Sequence, residues 1–138
     1  MVFDAAGGGL AFLLGRLLFG LVMAFTGLNH FLNADQMTGY ADAKGVPAPG
    51  LAVPFTGGML VLGGLGIALG AFPLLAAGAI AVFLLVTTPV MHDFWAAPAE
   101  DQQSEMTQFL KNAALLGVTL VFLTLSTTPW PYAVGVGL

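Results

Sequence analysis

Two histidines, three cationic side chains and seven carboxylates carry nearly all the acid–base chemistry of this 138-residue chain. His30, the pair His92-Asp93 and the pair Lys111-Asn112 come from three separate stretches. Histidine titrates near neutral pH and lysine donates hydrogen bonds. A carboxylate can orient an imidazole. Together these types suit a ligand with carbonyl oxygens. Arg16 and Asn29 add two further polar groups to an otherwise apolar segment. The absence of cysteine excludes disulfides, thiol relays and CxxC redox pairs. His30 and His92 stand too far apart for a compact metal motif, so no metal is expected. There is no phosphate-binding loop, no nucleophile triad context and no carboxylate pair within a span. A net charge of -4 excludes a nucleic-acid grip.

Each of these groups has a plainer reading beside the chemical one. His30 can anchor a helix end on a backbone carbonyl. His92-Asp93 can cap a helix after the kink at Pro89. Lys111 can snorkel to the membrane surface. Arg16 lies within an apolar span, where an ionised side chain costs about 2.5–3.5 kcal/mol on insertion scales, so it calls for a specific partner or ligand.

The elements that position these groups are membrane helices. Hydrophobic residues make up 58% of the chain and charged ones only 7%, against about 25% charged in soluble domains. Lipid is the natural solvent for such a sequence. Four apolar spans are expected, at about 10–32, 51–71, 73–92 and 105–127. The first is roughly 34 Å long, enough to cross a ~30 Å hydrocarbon core. Asp4 stands where a cleavable signal would carry Lys or Arg. Residues 33–50 hold Asp, Lys, Pro and Gly and read as a loop; residues 93–104 read as a second. Pro54 is read in the first turn of the second span. The hydroxyls of Thr87 and Thr88 are expected to help satisfy the backbone groups that Pro89 frees.

The expected fold is all-α: a four-helix transmembrane bundle forming one domain over residues 1–138, with both termini on the same side. Lys44 and Lys111 fall on the loop side and Arg16 nearer the termini, which leans by one residue toward cytoplasmic loops. Arg16, Gly20, Met23, Gly27 and His30 follow +4, +3, +4, +3 spacing and so share one face of the first helix, while Asn29 points elsewhere. His30, His92, Asp93, Lys111 and Asn112 reach similar depth on the loop side. Gly63, Gly64, Gly66 and Gly70 in the second span are expected to let helices approach closely, with Gly66 and Gly70 forming a GxxxG.

Several segments resemble the DoxX family of small four-helix membrane proteins. GRLLFGLVMAFTGLNHF looks like the family's opening helix, KGVPAPGLAVP like its entry to the second helix, and GGMLVLGGLGIALG like that helix itself. MHDFWA followed by MTQFLKNAALLG is similar to the family's H-D-F-W and F-x-K-N-x-A-x-x-G segments. The likeness runs from about Leu14 to Phe122. It implies a four-helix fold in the cell membrane and an association with redox systems, some quinone-coupled. The implied partners are the lipid bilayer, a redox partner protein or further copies of the chain. Carried over by position, the family's polar pattern falls on Arg16, Asn29, His30, His92, Asp93, Lys111 and Asn112. Many relatives carry an acidic residue near the position of Leu60, and this chain does not. Three functions follow as expectations: a quinone- or lipid-binding membrane subunit of a redox system, a non-catalytic scaffold, and, least favoured, a small transporter or channel.

Overall fold

The computed structural model describes residues 2–137. Its helices are α1 (Gly8–Leu32), α2 (Ala34–Ala43), α3 (Pro49–Leu69), α4 (Pro73–Met91) and α5 (Gln102–Leu125), with a short 3-10 turn at Phe94–Ala96 before α5. Four of them, α1, α3, α4 and α5, are long and apolar enough to cross a membrane. The fold is all-α, and the four long helices fall where the hydropathy placed them.

The first difference from the sequence reading is α2. Residues 34–43 form a helix inside the stretch read as a loop. Its sequence, ADQMTGYADA, buries only Ala41, so it has no apolar run to announce it. Gly45, with φ of 80°, and Pro47 end it and turn the chain into α3.

Prolines set the starts of α3 and α4, as Pro49 and Pro73 occupy the first helical turn. Pro54 lies deeper than expected, as the sixth residue of α3. Pro89 is accommodated inside α4. Thr87 there donates to the Phe83 carbonyl at 2.6 Å, but the buried Thr88 hydroxyl has no partner, so neither hydroxyl serves the carbonyl that Pro89 frees.

Glycine brings α1 and α3 into backbone contact. A Cβ on Gly20 would collide with the Gly64 carbonyl and lie 2.7 Å from the Ala68 nitrogen; one on Gly27 would lie 2.6 Å from the Gly57 carbonyl. Gly63 and Gly66 make room for α4, as a Cβ there would meet Ile80 at 2.8 Å and Ala76 at 2.7 Å. Gly70 plays a different part from the one its GxxxG spacing suggested. Its φ of 68° makes it the left-handed C-cap of α3, with the Ala71 N–H returning to the Gly66 carbonyl at 2.9 Å.

The outermost helix is α5, which buries only Thr119 and Phe122. Phe122 reaches across to Phe12, Phe19 and Trp130, with ring centroids 5.3–5.8 Å apart. Beyond α5 the chain folds back as a strap over the α3–α4 turn. The Val134 and Gly135 amides donate to the Leu69 and Gly70 carbonyls, and the Phe72 amide to Val136 at 2.6 Å.

Candidate functional site

The polar groups fall into three places, not one. At the loop end, α2 lays Tyr40 and Lys44 over the end of α4 and the start of α5. Tyr40 donates to Glu105 Oε1 at 3.0 Å and to the Met91 carbonyl at 3.1 Å. Glu105 Oε2 meets His92 Nδ1 at 3.0 Å. Lys44 Nζ pairs with Asp93 at 2.6 Å. His92 is thus oriented by Glu105, and Asp93 is committed to Lys44. Tyr40, Lys44 and Glu105 were missed as site residues. Only α2, hidden in the sequence, brings Tyr40 to Glu105.

Burial, and then the hydrogen bond to Glu105, push the Tyr40 phenol above its ordinary pKa. The hydrogen bond to Asp93 raises Lys44, against a smaller opposing effect of burial. Both groups hold their protons more tightly folded than unfolded. Their contribution is therefore complete below the unfolded values near 10 and is lost as pH rises through the folded ones. In a Tyr132→Phe background, ultraviolet titration should place Tyr40 ionisation above pH ~10, and Glu105→Gln should lower it. A midpoint unmoved by Glu105→Gln would show that the two do not interact.

Beside this network lies a cleft of about 250 Å³ lined by Asn29, Asn33, Gln36, Met37 and Tyr40. Asn33 donates to Asn29, whose own amide faces the Met37 sulfur at 3.8 Å. The lining carries no formal charge.

His30 stands apart, 6% exposed, between α1 and α3. Its Nδ1 lies 3.0 Å from the Val53 carbonyl and 3.1 Å from Thr56 Oγ1. A carbonyl only accepts, so Nδ1 carries the hydrogen and Nε2 keeps a lone pair. The ring centroid is 6.1 Å from that of Phe83. The expected cluster of five is therefore divided. His92 and Asp93 meet α2, and His30 packs on α3. Lys111 is exposed and bonded to Gln108 at 2.6 Å. Asn112 is half-buried along α5.

Arg16 occupies the opposite end and is fully buried. Its Nη2 donates to the Pro131 and Tyr132 carbonyls at 3.0 and 3.1 Å. The guanidinium carbon lies 5.6 Å from the ring centroids of both Phe12 and Trp130.

No curated protein and no solved structure matches the chain. The DoxX family model matches residues 11–93, more than half of the chain, from α1 through His92 and Asp93. The FLKNAALLG segment of α5 lies beyond the matched residues. With four membrane-length apolar helices and this match, the chain is a multi-pass integral membrane protein and belongs to the DoxX family.

Proposed function

We propose that the protein is a membrane subunit of a redox system in the cell membrane, one that binds a quinone or a similar lipid-like ligand at the loop end. Both termini lie on the side opposite that site. The observation that carries this reading is the junction at Tyr40. The same residue lines the uncharged cleft and bonds to Glu105, which holds His92. Amides of Asn33 and Gln36 offer hydrogen bonds to a ligand carbonyl, and Met37 and the Tyr40 ring offer an apolar wall. A neutral ring carried by a lipid tail suits a cleft at the membrane face better than a charged metabolite does. His92 and Glu105 supply groups able to exchange protons with such a ligand. His30 is a weaker candidate because its Nδ1 is spent on Val53. Exposed Lys111 points to Gln108.

Protein purified in mild detergent from its native membrane should carry extractable quinone near one per chain. Tyr40→Phe and His92→Ala should each lower that content several-fold while leaving helicity intact. Quinone retained in both variants removes the cleft as the site.

The scaffold reading draws support from α5, which buries little of itself inside the chain. A Cβ added to Gly117 on that helix would meet open space. Gly117→Leu should abolish cross-linking to a partner subunit or a second copy if α5 is the docking helix. Gly66→Leu and Gly70→Leu test the fold instead, since both glycines are enclosed within the chain.

A further inference from the structure

At the strap end of the bundle a buried cation is left with unused hydrogen-bond donors. The carbonyls of Leu69, Gly70, Leu123 and Leu125 are taken by the amides of Val134, Gly135, Ser126 and Thr128. Leu125 also accepts from Trp130 Nε1 at 2.8 Å and from the Thr128 hydroxyl at 2.9 Å. Pro131 and Tyr132 are taken by Arg16 Nη2. Nε and Nη1 of Arg16 are buried with no partner. A guanidinium has five N–H groups, and the three on these two nitrogens are unused. Its partners are neutral carbonyls and ring faces, which leave a full positive charge enclosed. A buried charge is strongly unfavourable unless paired, and an orphaned buried donor points to an absent water or ion.

A cavity of about 350 Å³ lies beside this charge, lined among others by Gly70, Pro73, Thr127, Thr128, Trp130 and Ala133. Residues of its lining also touch the guanidinium: the position of a Gly70 Cβ is 2.5 Å from Arg16 Nη1 and touches Ala133 Cβ, and the guanidinium carbon lies 5.6 Å from the Trp130 ring centroid. A side chain at Gly70 would displace the guanidinium. Through shared neighbours of low dielectric, Coulombic attraction remains substantial.

We propose that this cavity is an anion site that binds a phosphate oxyanion, carried by a lipid headgroup or free in solution, with Arg16 supplying the balancing charge. The cavity is lined by residues of the α3–α4 turn and of the chain just beyond the end of α5, where those spans leave the hydrocarbon, which puts it at the depth of the headgroup region. The site is independent of the loop-end cleft and of any redox role.

The test uses the full chain in detergent with Trp95→Phe, so that Trp130, in the cavity wall, is the single tryptophan, excited selectively at the red edge of its absorption. Three probes are titrated: dihexanoyl phosphatidylglycerol, inorganic phosphate, and dihexanoyl glycerol, which lacks the phosphate. The expected result is a saturable change with a phosphate-bearing probe and none with dihexanoyl glycerol. A response to the lipid alone names the headgroup as the source; a response to inorganic phosphate as well names the free ion. Arg16→Gln keeps a donor for Pro131 but loses the charge, and should weaken binding at least tenfold. Thr127→Phe, at an exposed lining position, should block the cavity with Arg16 untouched, and decides the matter if Arg16→Gln does not fold. The proposal is overturned by no saturable response to either phosphate probe, by an equal response to dihexanoyl glycerol, or by undiminished binding in Thr127→Phe.

Discussion

Gly20→Leu should leave no folded protein in detergent, and Gly20→Ala should lower stability by about 1–2 kcal/mol. The alanine methyl would run into the Gly64 carbonyl and the Ala68 backbone, neither of which can rotate away. Overpacking of this kind costs about 1–3 kcal/mol, and the better helix propensity of alanine returns at most about 1. A leucine drives the helices apart along their whole glycine seam. That seam runs from Gly20 and Gly64 to Gly27 and Gly57, so the damage reaches His30, whose Cβ lies 2.7 Å from the Gly57 Cβ position. Gly15 sits one turn away in open space and is the control. Gly15→Ala should be neutral or stabilising by up to about 1 kcal/mol. Thermal midpoints measured in one detergent settle the comparison. If Gly20→Ala melts with Gly15→Ala, the two backbones do not touch.

The second large effect is at Arg16. Arg16→Ala removes both hydrogen bonds to the strap and the contacts with Phe12 and Trp130. Charge-assisted hydrogen bonds contribute about 1.5–3 kcal/mol each, and the desolvation relieved on removing the charge offsets part of that. A net loss of about 3 kcal/mol corresponds to exchange roughly 100-fold faster at amides that depend on the strap. Val134 and Gly135 report it directly, as their amides bond to α3. Hydrogen exchange in the middle of α3 should change far less. Arg16→Met, which keeps volume without charge, should fall between wild type and Arg16→Ala. Unchanged exchange at Val134 in Arg16→Ala would mean that the strap holds without the guanidinium.

The spans were legible because lipid imposes one simple rule, a run of apolar residues long enough to cross. The stripe through Arg16, Gly20, Met23, Gly27 and His30 was legible too, since helical periodicity fixes which residues share a face; all five are buried. Periodicity does not say which partner that face meets. The pairing of Gly20 with Gly64 depends on the register of two helices, and nothing in either helix alone states it. The Gly66–Gly70 spacing misled for a related reason: a glycine suited to close packing is equally suited to a left-handed cap. The neighbourhoods of His30 and His92 were not legible, because residues expected at one level can still face different helices. The site itself depended on α2, a helix of mixed polarity lying against the ends of α3, α4 and α5 with almost no apolar signature. Without α2, Tyr40 and Lys44 have no visible relation to Glu105 and Asp93.

The strap also has a consequence for how the protein is made. Arg16 is synthesised 115 and 116 positions before its acceptors at Pro131 and Tyr132. At about 5–20 residues per second, the interval is roughly 6–23 s. Throughout that time the nascent chain carries an unmatched cation within its first span. The strap must be made before the guanidinium can be enclosed, so this end of the bundle closes well after its first span has been synthesised. A chain cut short before Pro131 lacks both acceptors of the guanidinium.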